Sequence, residues 1–337
     1  MVRGDSPWAV EVTSYGAGEG FYAGYTLKNS ALGRPTVDTY EDAFVQNPSV
    51  TVVPAFPPWD PTELVSIGGG GHLVLKMGRA IVNHPDNPYG VDFLIFGNSF
   101  FQGSGLYNQN ANDPRTYTLA GQDKIGINTK NGVVSVSVDG IHWFYFQNQP
   151  RLGMLPTLGR VWLEEEGEWG DPTDPTVPPD PALHVKDLAN MPLVKLIEHY
   201  RGGAGGTGFD LSDLIVPPGK SLPKKFHYVR IEVPVGQFRT EIDAVSVVRP
   251  ASERRRWEIR HFPWVQDPAV EKNAVGMKLN SSGAPALLHP DAGELPGWVL
   301  EWSPSLRQPD WRDVEAETPT GAHVFFRGRR IEEEASP

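Results

Sequence analysis

The sequence predicts an all-β protein: an antiparallel jelly-roll-like sandwich with one short helix over residues 1–250, followed by a smaller β-sandwich-like domain over residues 251–337. Three observations carry this. Gly and Pro supply 36 and 32 of the 337 residues, a density of chain breakers that forbids long helices and suits short strands joined by turns. The apolar residues fall in short runs, many of them alternating with polar ones. Ten Trp, ten Tyr and fifteen Phe provide the bulk to close a core between sheets.

Seven runs of strand length precede Pro250: 8–13, 73–77, 93–96, 133–138, 143–146, 228–233 and 242–248, each rich in β-branched or aromatic residues and edged by Gly, Pro, Asn or Asp. Asp139-Gly140, with alternation on both sides, predicts a hairpin. The glycines at 68–71, set directly against a strand, predict a tight turn with positive φ. One helix is expected at 193–200, where Leu193, Leu196, Ile197 and Tyr200 share a face, Asn190 can cap and Gly202-Gly203 ends it. Its apolar stripe should lie across the edge or mouth of the sandwich. The acidic, proline-rich segment 164–181 has few hydrophobes and predicts an extended surface excursion. Beyond Pro250, strands are expected at 257–260, 275–279, 298–303, 311–316 and 323–327, and Arg254-Arg255-Arg256 reads as a solvated strand edge or linker.

Composition excludes several function classes. The net charge is −11 and both parts of the chain are acidic, which disfavours nucleic acid as a partner and suits a divalent cation. The chain has no cysteine, so disulfides, thiolate metal sites and cysteine nucleophiles are excluded. No apolar run is long enough for a membrane span, and Met1–Ser6 lacks the apolar stretch of an export signal, so an intracellular or already trimmed chain is expected. No Gly-x-Ser-x-Gly occurs, and Gly203-x-Gly205-x-x-Gly208 follows a helix and precedes a strand, the reverse of a dinucleotide site. The nine histidines are scattered singly.

Oxygen ligands are the better prospect for chemistry. A hard cation such as Ca²⁺ takes six to eight oxygens from carboxylates, amides and carbonyls, and Asp92, Asp210, Glu241 and Asp243 are the candidate metal ligands of a structural ion. The alternative for the loop acids is an Asx-turn or cap. Asp243, amid Ile242, Ala244 and Val245, needs a partner if it points inward. For a sugar ligand the expected pattern is aromatics interleaved with amides on loops, which selects Trp59, Phe101, Tyr107, Asn108 and Asn110. Here the alternative is a polar loop with its aromatics folded beneath it.

The block Asn83-His84-Pro85-Asp86-Asn87-Pro88-Tyr89-Gly90-Val91-Asp92-Phe93-Leu94-Ile95-Phe96-Gly97-Asn98-Ser99-Phe100-Phe101 resembles a family of exported bacterial cell-surface proteins of PEP-CTERM type, β-sandwich proteins of unknown function. The resemblance extends in order through 22–35, 64–71, 134–143, 203–211 and 228–245, and covers residues 8–250. It implies a jelly roll related in architecture to carbohydrate-binding and discoidin-like modules, several of which hold a structural Ca²⁺, and an extracellular or cell-surface location. Residues 295–330 likewise resemble a small β domain common near the C-terminus of secreted bacterial proteins. The functional expectation is a non-enzymatic module that binds a polysaccharide or other surface polymer. The rivals are a carbohydrate-active lyase or hydrolase with a carboxylate or Tyr/His pair in a groove, and a purely structural surface protein. A concave groove with two facing acids would favour the enzyme, a flat aromatic platform the binding module.

Overall fold

The computed structural model describes residues 6–39, 50–104, 113–120, 125–126, 132–150, 152–153, 155–183, 185–216, 218–219 and 221–253, and six strand segments between 276 and 330. The chain divides into two compact units, residues 1–264 and 265–337. The first is built on strands β1 (Ala9–Gly16), β2 (Val65–Ile67), β3 (His72–Ile81), β4 (Phe93–Gly97), β5 (Val133–Ser137), β6 (Trp143–Tyr145), β7 (Arg160–Leu163), β8 (Glu168–Pro172), β9 (Thr207–Phe209), β10 (Phe226–Glu232) and β11 (Thr240–Val247), with helix α1 at Leu193–Tyr200. Sheet A has the order β1-β3-β10-β5-β6, and sheet B has the order β9-β4-β11-β2. Every pairing is antiparallel. All seven expected strands of this unit are present.

Between the sheets lies the main core. Leu73, Leu75, Val134, Val136, Val229 and Ile231 of sheet A meet Val65, Ile67, Phe93, Ile95, Phe209, Ile242 and Val245 of sheet B. Phe93 stacks on Phe209 at 4.9 Å between ring centroids, and Phe146 meets Phe209 edge-on at 5.1 Å. Sheet A obeys the alternation of a sheet with one wet face. Strand β1 departs from it: Ala9, Val12 and Tyr15 oppose Met77, Leu75 and Leu73, with register slips before Glu11 and before Ser14. Each slip adds a residue as a β-bulge, so the inward positions recur every third residue.

Sheet B is covered on both faces. Leu94, Phe96 and Ala244, which point away from sheet A, are buried with Val91, Ala204 and Val248 in a second layer. A third cluster joins the helix stripe Leu193, Leu196, Ile197 and Tyr200 to Val53, Phe101, Tyr117, Leu119, Leu155 and Leu158. The helix therefore belongs to a covering layer with its own core. Asn190 does not cap it: Pro192 holds the cap position without a side-chain bond, and the Leu193 amide donates instead to the Tyr117 carbonyl at 2.8 Å.

The segment 164–181 corrects the expectation of a surface excursion. Strands β7 and β8 form a hairpin in which Trp162 opposes Trp169, rings edge-on at 5.1 Å. After it, Thr173 and Thr176 are buried, and Thr173 donates its hydroxyl to the Leu158 carbonyl. Arg160 makes a paired contact with Asp38 at 2.6 and 2.9 Å. Trp162 and Trp169 packed against the helix-side core, together with polar side chains that have partners, hold this segment down.

The second unit contains two three-stranded antiparallel sheets, Gly276–Leu279 with Pro285–His289 and Gly293–Glu294, and Trp298–Ser303 between Arg312–Asp313 and Phe325–Arg330. Pro285–His289 was not expected from the sequence. The expected strand 257–260 and the arginines 254–256 lie outside the described residues.

The glycine turn at 68–71 packs backbone on backbone. A Cβ on Gly68 would sit 2.2 Å from the Glu19 carbonyl oxygen and 2.6 Å from the Phe21 nitrogen, whereas one on Gly69 would meet Gly236 at 3.2 Å. Gly68→Ala is expected to cost about 2–4 kcal/mol in denaturant unfolding, and Gly69→Ala clearly less. Equal losses would show that the close approach of the two turns is not what requires the glycine.

Candidate functional site

The four candidate metal ligands divide into two pairs at opposite ends of sheet B. Asp92 immediately precedes β4 and Asp210 follows β9, while Glu241 and Asp243 lie where β11 pairs with the far end of β4. The length of β4 between them is about 13 Å. Ca²⁺ needs ligands at about 2.3–2.6 Å, so Asp92 and Asp243 cannot serve one ion, and the expected four-residue site is corrected to two separate pairs. Among the described residues no three His, Asp or Glu side chains are grouped to hold a metal.

Each of the four has protein partners instead. Asp92 is fully buried, accepting from Asn87 Nδ2 at 2.6 Å and the Leu211 amide at 2.8 Å. Burial pushes its pKa up to about 6, with the charge of Asp210 acting in the same direction. Asp210 caps the short turn 211–213 through the Ser212 amide at 2.7 Å. Glu241, 1% exposed, accepts from Asn98 Nδ2 at 2.5 Å and Arg239 Nε at 2.8 Å. Asp243 receives the Thr36 amide and hydroxyl, each at 3.0 Å. Burial pushes Asp243 up to about 8, reinforced by the charge of Glu63 and opposed by the Thr36 bonds and Arg34.

The expected ligand aromatics fare differently. Phe101 is 3% exposed and sits in the helix-side core, its amide donating to the Pro54 carbonyl. It is a packing residue, which corrects its expected role as a platform; the covering layer of sheet B needs that bulk. Trp59 is half-buried, with its carbonyl accepting from the Tyr25 hydroxyl at 2.5 Å and its amide donating to Glu63. Tyr107, Asn108 and Asn110 lie outside the described residues.

Sheet A carries partly exposed aromatic groups on regular strands. Trp143 and Tyr145 lie on β6, opposite Ser137 and Ser135 of β5, which in turn oppose Tyr228 and Arg230 of β10. The serines keep the middle strand low between two taller rows. The Arg230 guanidinium lies 4.3 Å from the Trp143 ring centroid and 5.7 Å from that of Tyr145. It donates to the Tyr145 hydroxyl at 2.6 Å and to Ser135 Oγ at 3.2 Å, and pairs with Glu232 at 3.0 Å. Tyr145 is 40% exposed. Lys76 and Glu11 continue the row across β3 and β1.

The result is a strip of rings and hydrogen-bonding groups in which the Arg230 guanidinium spans the low middle strand. Exposed rings beside fixed polar groups suit contact with an extended ligand. Sequence reasoning looked for aromatics on loops and missed these, although alternate positions in the expected strands at 133–138, 143–146 and 228–233 already place them on one face. The Asp-Gly turn beside the strip holds Ser137, Asp139 and His142 together, but the acid stands in the middle: Asp139 binds Ser137 Oγ at 3.1 Å and His142 Nδ1 at 2.8 Å. The imidazole is not placed to take a proton from the serine. Instead the His142 amide and ring, with the Ile141 amide, hold the Asp139 carboxyl well below the usual carboxylate range and lock the turn. No known protein-family description matches the chain, and no curated protein matches it.

Burial raises the pKa of both Asp92 and Asp243 in the folded state. An aspartate whose folded pKa lies above its unfolded value of 3.8 binds more protons folded than unfolded in between, so stability falls as pH climbs. For Asp243 the loss runs from about pH 4 to about pH 8. Asp243→Asn should therefore gain in Tm relative to the parent protein steadily between pH 5 and 8.5 in thermal melts at fixed salt. A difference in Tm that does not change with pH would show that Asp243 is already ionised in the folded state throughout.

Proposed function

We propose that this protein is a non-enzymatic, surface-exposed β-sandwich module that binds a polysaccharide or similar surface polymer on the free face of sheet A. The observation that carries the reading is the Trp143–Arg230–Tyr145 strip. Aromatic rings offer apolar faces to the C–H faces of sugars, while Arg230, Glu232 and Lys76, on neighbouring positions of the same face, offer hydrogen bonds to hydroxyls. Sheet B is covered on both faces, so within the described sandwich sheet A supplies the open regular surface. A strip of rings and polar groups along a sheet face recognises a chain by repeated weak contacts, and an extended polymer is the ligand class that such a surface suits.

The test is affinity gel electrophoresis against hydroxyethyl cellulose, xylan and polygalacturonate. Trp143→Ala with Tyr145→Ala should weaken retention by a binding polymer roughly tenfold or more and leave the melting temperature nearly unchanged, because both rings lie outside the main core. Mobility identical to the parent protein on every polymer that retains the parent would remove this face from the binding reading. A collapse in Tm would assign the rings to packing.

A further inference from the structure

Three loops meet at one end of the sandwich: 17–25, the glycine turn 68–71, and the β10–β11 connection 233–239. The Gly70 amide donates to the Val233 carbonyl at 2.8 Å, and the Glu19 and Gly69 backbones exchange hydrogen bonds at 2.8 Å. On this end Tyr22 is 47% exposed and Phe238 57% exposed. Between them lies Arg239, its guanidinium 5.3 Å from the Tyr22 ring centroid and 4.7 Å from that of Phe238.

Arg239 is anchored at its Nε. Its Nε donates to Glu241 Oε1 at 2.8 Å, and the other oxygen of that buried carboxylate accepts from Asn98. The charge of Glu241 is thus engaged from two sides beneath the surface. Neither Nη1 nor Nη2 of Arg239 has a hydrogen-bond partner among the described residues. A guanidinium pinned at Nε, flanked by two rings and open at its terminal nitrogens has little rotamer entropy left to lose on binding. Its two parallel N–H groups match the spacing of a carboxylate, and the flanking rings offer apolar contact beside it.

We infer that Arg239, with Tyr22 and Phe238, forms a carboxylate-recognition subsite for an acidic sugar unit of the bound polymer. This rests on the polymer-binding reading and extends it from a surface to a substrate class, a uronate-bearing polysaccharide. The acidic chain as a whole repels a polyanion, so selectivity for the acid must come from a local, geometrically matched cation, and Arg239 is placed as one. An arginine is required there: a lysine keeps the charge and the pairing with Glu241 but cannot present two parallel donors.

The experiment compares polygalacturonate with the neutral hydroxyethyl cellulose in affinity gels at near-physiological salt. The parent protein should be retained about tenfold more strongly by the acidic polymer, the effect of one bidentate charged contact. Arg239→Lys, confirmed as folded by its melting curve, should lose that preference while keeping its retention by the neutral polymer. Tyr22→Leu, which removes an exposed ring and leaves every charge in place, should reduce the preference as well, and it serves if the lysine variant does not fold. The inference is overturned if the parent protein shows no preference for the acidic polymer, or if a folded Arg239→Lys or Tyr22→Leu protein keeps it in full. A parent protein retained by the neutral polymer alone overturns the subsite and spares the sheet A reading. A parent protein retained by neither polymer overturns both.

Discussion

Sheet B has water on neither face, and most of the first unit follows from that constraint. A strand buried on one side alternates apolar and polar residues; one buried on both sides does not. Phe93-Leu94-Ile95-Phe96 is continuous for this reason, sending Phe93 and Ile95 to the core shared with sheet A and Leu94 and Phe96 to the layer outside. A carboxylate on the outer side of this sheet must find its partner within the protein, since an unpaired buried carboxylate is far too costly to keep. Thr36 with Asp243, Asn98 and Arg239 with Glu241, and Asn87 with Asp92 are those partners.

The covering layer is assembled from segments that could not stand alone. Helix α1 has eight residues, well short of the length at which an isolated helix holds in water. It persists because Leu193, Leu196, Ile197 and Tyr200 close a core with Tyr117, Leu155 and Leu158, and because Tyr200 donates its hydroxyl to the Pro156 carbonyl at 2.8 Å. The acidic segment beside it is fixed by Arg34, which donates to the Thr173 carbonyl at 3.2 Å, and by the Arg160–Asp38 pair. Charge and hydroxyl contacts do here what apolar burial does between the sheets.

The strands and the helix were legible because their signals are local: alternation, β-branching, a 3–4 spaced stripe. Strands β2 and β9 were not, since three residues are too few to show a period, and both exist through pairing with β11 and β4. In β1 the two bulges turn a period of two into a period of three, which no alternation rule reads as a strand over its full length. Asp243 was singled out correctly as an acid that needs a partner, but nothing local could name Thr36, which lies 207 residues away in the chain. Phe101 and Trp143 show the same limit from the other side. A loop-edge phenylalanine became core because a covering layer arrived from residues 117–200, whereas a strand tryptophan stays partly open because no covering layer from the described residues packs on its face of sheet A.

One local device appears twice. Arg230 precedes Glu232 by two positions and Arg239 precedes Glu241 by two, so in extended chain each pair shares a side. In both, the guanidinium lies against aromatic rings and leans on the glutamate. The surroundings differ, and with them the chemistry available. Arg230 lies across an open face and divides its donors among Ser135, Tyr145 and Glu232, so it stiffens the aromatic strip as much as it offers contact. Arg239 leans on a glutamate that is itself buried and already bonded to Asn98, which leaves its terminal nitrogens directed away from the pairing. The same three-residue pattern thus yields a positioned platform where the glutamate is half-open and a presented fork where it is closed off. What separates them is the covering of sheet B and, among the described residues, the openness of the outer face of sheet A.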